Sequence, residues 1–124
     1  MHEYALAADI ARRVEAEAGR SGARRLAGID VEIGGLARLD PDAIAFWLRE
    51  ALGETVTARA RIRVLRAPVS LTCLRCGHQR SVVPYDQGLP TLDPACRRCP
   101  QCQSEEVKLD GKAGCRISAL RFRP

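Results

Sequence analysis

The sequence predicts an α+β fold: two helices packed on a three-stranded sheet, with a four-cysteine, zinc-ribbon-like lobe inserted before the last strand. Three observations carry this. Two stretches repeat apolar residues at helical spacing, and three others alternate apolar with polar residues. Between Thr72 and Glu106 both patterns give way to Cys, Pro, Gly and Arg, with two C-x-x-C pairs. At 124 residues, 46% hydrophobic and 28% charged, the chain can fold as one domain or two small lobes. Only five residues are aromatic, so the core must be mostly Leu, Ile, Val and Ala.

The first helix spans Ala5 to Gly19, with Ala5, Ala8, Ile10, Ala11, Val14 and Ala18 as its apolar stripe and Gly19 and Gly22 closing it. From Leu26 the chain alternates, Ile29, Val31 and Ile33 against Asp30 and Glu32, as a half-buried strand ended by Gly34-Gly35. Asp40-Pro41 starts the second helix, with Asp40 as N-cap. Ile44, Trp47, Leu48 and Ala51 form its stripe, and Gly53 caps it after Leu52. Val56 to Arg66 reads as a strand with one buried and one cationic face. The last strand falls in Gly111–Arg123, with Cys115, Ile117 and Ala119 opposing Arg116, Ser118, Leu120 and Phe122. Ala67-Pro68 marks a boundary, so the domains run 1–68 plus 109–124, with 69–108 inserted.

The inserted stretch is too short and too polar for a core of its own and needs a staple. Cys73-Leu74-Arg75-Cys76-Gly77 is a metal knuckle. Its two sulfurs can face one ion, and Gly77 permits the tight turn. Two registers complete the site: Cys96 with Cys99, or Cys99 with Cys102. Cys99-Pro100-Gln101-Cys102 is favoured because Pro100 presets the turn, although Gln103 stands where a glycine usually follows. Cys73, Cys76, Cys99 and Cys102 then form a closed zinc site with no open position for catalysis. Iron in the same four-thiolate set is the sharpest rival. Cys96 is left as a neighbour that could replace a ligand, and Cys115 reads as a small buried residue.

The formal charge is +5, from 20 Lys and Arg against 15 Asp and Glu. Residues 1–66 hold 11 basic and 10 acidic residues, and residues 67–124 hold 9 and 5, so the excess sits around the cysteines. Four zinc-bound thiolates reduce the total to about +3. This excess lacks the clustered stripe and stacking aromatics of a nucleic-acid binder. No apolar run approaches the ~20 residues that span a bilayer. The start Met1-His2-Glu3-Tyr4 shows no basic stretch followed by an apolar one. The expectation is a cytoplasmic protein with reduced cysteines.

His2 adjoins the terminal amine, and amine, backbone amides and imidazole together offer planar nitrogen donors that suit Ni(II) or Cu(II) rather than tetrahedral Zn(II). Taken alone, a terminal histidine is ordinarily just solvated.

The Met1-His2-Glu3-Tyr4 start, Val31-Glu32-Ile33-Gly34, and the late C-x-x-C-G and C-P-x-C pairs together resemble the HypA/HybF family of nickel metallochaperones for [NiFe]-hydrogenase maturation. The likeness covers nearly the whole chain in the same order. It implies a nickel site at His2 and Glu3, with the Met1 amine and Asp40 as further candidates, and structural zinc on the four cysteines. It also implies a carrier rather than an enzyme. Its implied partners are the maturation pathway's nickel GTPase and the hydrogenase large subunit. Cys96 and the segment Gly88–Pro94 have no counterpart in the family pattern. His78, beside Cys76-Gly77, is a candidate alternative zinc ligand. Two other classes compete: a nucleic-acid-binding zinc ribbon using Arg75, Arg80, Arg97 and Arg98, and a zinc-stapled adaptor. No catalytic triad, phosphate loop or glycine-rich fingerprint is present in the sequence.

Overall fold

The computed structural model describes residues 3–22, 25–53, 59–85 and 93–123. In chain order these form α1 (Glu3–Arg20), β1 (Arg25–Ile33), α2 (Pro41–Leu52), β2 (Arg61–Arg66), β3 (Val69–Cys73), β4 (Gln79–Val82), a short 3-10 turn (Pro94–Cys96), β5 (Val107–Asp110) and β6 (Cys115–Arg123). They divide into two compact units. One comprises Met1–Glu32, Leu39–Leu65 and Cys115–Pro124; the other comprises Ile33–Arg38 and Arg66–Gly114.

In the first unit α1 packs on α2, and the sheet runs in the order β2-β1-β6. Two helices on a three-stranded sheet is the predicted arrangement. The α1 stripe differs in detail: Ala7, Ile10, Ala11 and Val14 are buried, while Ala5 is exposed. The buried set follows i, i+3, i+4, i+7, so Ala7 rather than Ala5 continues the face of Val14. On α2 the buried residues are Ile44, Leu48 and Leu52, whereas Trp47 and Ala51 are exposed. This narrow i, i+4, i+8 stripe leaves the largest ring of the helix at the surface.

Both ends of α2 form as its sequence dictates. Asp40 Oδ1 accepts from the Asp42 N–H at 3.0 Å, and Pro41 occupies the first turn, where a missing N–H costs nothing. Gly53, at φ 58°, donates its N–H to the Arg49 carbonyl at 3.1 Å. The apolar side of β1 supplies Ile29, Val31 and Ile33, all fully buried. Each such side chain contributes about 2 kcal/mol of burial free energy.

β2 is shorter than its alternating sequence. It begins at Arg61, with Val56 to Ala58 outside the described residues. Ala60 is buried and its carbonyl accepts from Arg49 Nη2 at 2.5 Å. β6 keeps its alternation through Cys115–Ala119 and then slips by one position: Ala119 and Leu120 are both half-buried. Leu120 and Phe122 therefore lie inward of their expected face, and Arg121 and Arg123 take the outward positions.

The second unit carries more regular structure than its composition suggests. β3 pairs antiparallel with β4 and β5, giving the order β4-β3-β5. Val69, Leu71 and Cys73 alternate into the interior with Ser70 and Thr72 between them. The strand is only five residues long and ends inside a knuckle, so periodicity is weak in the sequence. Ile33–Arg38 groups with this unit through backbone bonds: Gly34 N–H to Gly114 O at 2.8 Å, Leu36 N–H to Lys112 O at 3.0 Å, and Ala67 N–H to Ile33 O at 2.8 Å. No helix among the described residues is long and apolar enough to cross a membrane.

Candidate metal centre

Two loops of one design build the centre. In the first, the Cys73 N–H donates to His78 O at 2.8 Å and the Gly77 N–H to Cys73 O at 3.0 Å. In the second, the Cys99 N–H donates to Ser104 O at 2.9 Å and the Gln103 N–H to Cys99 O at 2.9 Å. The register is the same in both. The residue after the second cysteine of each pair is left-handed: Gly77 at φ 80° and Gln103 at φ 65°. Gln103 therefore adopts, with a Cβ, the conformation that Gly77 adopts without one.

These turns bring the Sγ atoms of Cys73, Cys76, Cys99 and Cys102 within 4.8 Å of one another. Cys73 Sγ lies 3.6 Å from Cys102 Sγ, and Cys76 Sγ lies 3.5 Å from Cys99 Sγ. Tetrahedral thiolates with a metal–sulfur length of about 2.3 Å would stand about 3.8 Å apart. The donor set thus fits one four-coordinate ion with little movement. One cysteine of each pair is buried, Cys73 and Cys99, and one exposed, Cys76 and Cys102.

Backbone N–H groups face the sulfurs. Cys73 Sγ accepts from the N–H groups of Cys76 and Arg75, both at 3.4 Å, and Cys99 Sγ from Gln101 N–H at 3.3 Å. These donors, Cys76 N–H first, lower the Cys73 thiol to about 6 against the resistance of burial. Cys76 is drawn down by the His78 N–H, but the neighbouring Cys99, burial, Cys73 and Cys102 outweigh it, and the thiol is pushed up to about 12. One sulfur ionises readily and its neighbour resists, because thiolates this close repel one another. A cation removes that conflict.

Cys96 is absent from the cluster. It is buried in the Pro94–Cys96 turn, and burial together with the Asp93 carboxylate raises its thiol. Of the two registers open in the sequence, the fold assembles Cys99 with Cys102. Cys115 sits half-buried on β6, in the other unit, with its thiol pushed up to about 11 by burial. His78 is half-buried and contributes its backbone to the knuckle; its imidazole is not part of the four-residue cluster. Gln103 is the residue that sequence reasoning undervalued. The shared C-x-x-C-x frame was the available signal for it.

Of the first residues, Met1 and His2 lie outside the described residues. Glu3 opens α1 and is half-buried. Asp40 is committed to capping α2 through Oδ1.

Known proteins resemble the chain over nearly its whole length. The family model for hydrogenase/urease nickel incorporation metallochaperones, HypA, matches residues 1–122. The hydrogenase maturation factor HypA of Azoarcus sp. (strain BH72) is 33% identical over 120 residues, covering 97% of this chain and 96% of that protein. That of Thermococcus onnurineus (strain NA1) is 28% identical over 133 residues, covering 98% and 96%. The solution structure of the Ni metallochaperone HypA from Helicobacter pylori aligns with a TM-score of 0.58 at 20% identity, covering 98% of this chain and 97% of that one. A second solution structure, described as that of HypA protein, aligns with a TM-score of 0.60 at 21% identity, covering 99% and 97%.

Proposed function

The chain belongs to the HypA family of nickel-incorporation metallochaperones, and we propose that it carries one Ni(II) on its first three residues while Zn(II) on Cys73, Cys76, Cys99 and Cys102 holds the second unit together. The nickel donors are the Met1 amine, the His2 and Glu3 amides and the His2 imidazole, a planar nitrogen set that suits Ni(II).

One observation carries this reading. α1 begins at Glu3, so the Glu3 amide belongs to the first turn, where backbone N–H groups have no partner within the helix. It can lose its proton to a metal without breaking a helical hydrogen bond. The Glu3 side chain supplies negative charge beside the cation. Asp40 joins the site only by turning away from its cap.

The four cysteines offer no vacant position once they close on one ion, so their role is to hold structure. The nickel donors, by contrast, are amine, amide and imidazole nitrogens that compete with protons for the ion, so a recipient can strip it. A fall in pH reprotonates the amine, amide and imidazole donors and releases the ion. The protein is on this reading a cytoplasmic carrier. It delivers nickel to the large subunit of a [NiFe] hydrogenase, assisted by the maturation pathway's nickel GTPase.

The test is metal analysis and nickel titration of untagged protein. About one zinc per chain and one tight nickel, the latter lost in His2→Ala with zinc retained, is the expected result. Nickel binding that survives His2→Ala refutes the site. Unchanged affinity after the chain is extended ahead of Met1 refutes the amine as donor.

A further inference from the structure

One strongly charged surface takes no part in either metal site: the outward face of the β2-β1-β6 sheet. Ile29, Val31 and Ile33 turn one side of β1 into the core. The alternate positions, Gly28, Asp30 and Glu32, form the middle row of the other side. Arg61 and Arg63 on β2 flank that row on one edge, and Arg116, Arg121 and Arg123 on β6 flank it on the other. Five guanidinium groups face two carboxylates, an excess of three positive charges.

The middle row sets the outer rows in place. Asp30 is buried, and both its oxygens are used: Arg63 Nε donates to Oδ1 at 3.1 Å and Arg121 Nη1 to Oδ2 at 2.6 Å. Arg116 Nη2 donates to Glu32 Oε1 at 3.1 Å. Arg121 reaches Asp30 across Gly28, where any Cβ would fall on its guanidinium. The paired arginines nevertheless remain open: Arg63, Arg116 and Arg121 keep 51%, 58% and 45% of their side-chain surface exposed. Each fork retains unused N–H donors, held in a defined position before anything binds. Arg61 and Arg123 are exposed and have no carboxylate partner among the described residues.

We propose that this arginine-flanked sheet face is a docking surface for a partner protein that presents carboxylates in two rows about 10 Å apart, the distance across two strand spacings. Charge complementarity chooses the class of partner. A nucleic-acid backbone carries closely and evenly spaced negative charge, which would press on Asp30 and Glu32 in the middle row. The outward positions also offer no aromatic ring for a base to stack on. A protein surface can place carboxylates over the outer rows and a cation or polar group over Glu32. Leu65, half-exposed at 51% and continuing the outward positions of β2, adds an apolar contact. The inference is independent of the nickel reading, since none of these residues belongs to that site.

The probe is an alanine-rich helical peptide with glutamates at every seventh position, which spaces them by about 10 Å. Binding to the full-length protein is measured at about 20 mM salt, where surface charges are weakly screened. Amide shifts should concentrate on β1, β2 and β6. Arg61→Glu with Arg123→Glu, which leaves the Asp30 pairs intact, should weaken the peptide by at least about tenfold with unchanged circular dichroism. Arg75→Glu with Arg97→Glu makes the same charge change in the other unit and should leave affinity unaltered. Equal weakening by both pairs, no binding at all, or tighter binding of random duplex DNA at the same salt each overturns the proposal.

Discussion

The rings of Tyr4 and Trp47 meet edge to face, their centroids 5.2 Å apart and their planes at 89°. Phe46 adds a third ring, 5.0 Å from Trp47. All three are partly exposed, Tyr4 at 61%, Phe46 at 55% and Trp47 at 37%. This pair ties the start of α1 to α2, and it places the only tryptophan against a residue two positions after His2. Nickel titration should therefore quench Trp47 emission with an endpoint at one ion per chain, and His2→Ala should abolish the quench. Tyr4→Ala should cost about 0.5 kcal/mol, the low end for aromatic pairs at an exposed position. Quenching that persists without His2 would place the nickel elsewhere.

The matched knuckles make a prediction about Gln103. A left-handed residue with a Cβ is strained by about 1 kcal/mol, and glycine relieves this. Gln103→Gly should raise the thermal midpoint of the metal-loaded protein, whereas Gly77→Gln should lower it. Thermal melts of the two variants read this directly. A fall in Gln103→Gly would mean that its side chain contributes more than its backbone costs.

Metal removal should act on one unit only. Chelation should collapse amide dispersion in β3, β4 and β5, because the sheet they form ends in the knuckles at Cys73. Helical circular dichroism from α1 and α2 should persist, since both belong to the other unit. Cys102→Ser should bring bound zinc well below one per chain, and Cys96→Ser should leave it at one, as measured by elemental analysis. Loss of zinc in Cys96→Ser would put that thiol in the site.

The Asp30 carboxyl is held below its ordinary value by the hydrogen bond from Arg121, against the opposing effect of burial, with Arg63 adding to the lowering. An unfolded aspartate titrates near ~3.9. The folded form is thus favoured fully above that value, and its advantage is lost as pH falls through the lower, folded value. Acid melts should show stability dropping below about pH 4. Asp30→Asn should flatten that drop while lowering the midpoint at neutral pH, where its two guanidinium partners lose their counter-charge. Gly28→Ala should do part of the same by displacing Arg121.

Asp40 carries two assignments that one substitution separates. Asparagine caps as well as aspartate, so Asp40→Asn should melt like the parent, while Asp40→Ala should lose about 1 kcal/mol. The nickel role requires weaker nickel binding in Asp40→Asn at that unchanged midpoint.

Local chemistry wrote much of this protein into its sequence. Asp40, Pro41 and Gly53 specify the ends of α2 because caps depend on neighbouring backbone groups alone. The alternation around Ile29, Val31 and Ile33 specifies β1 and its buried side, and the C-x-x-C turns specify two metal knuckles. Tertiary structure decided the rest. Periodicity fixes the angle of a side chain on its helix but not what stands opposite. Ala7 thus replaced Ala5 in the core, and Trp47 was left at the surface. Cys96 and Cys102 are equally spaced from Cys99 in the chain, and only the approach of the two knuckles brings Cys102 to 3.6 Å from Cys73 Sγ. The Asp30 clamp needed residues 33 and 91 positions away, a meeting that depends on three strands closing into one sheet.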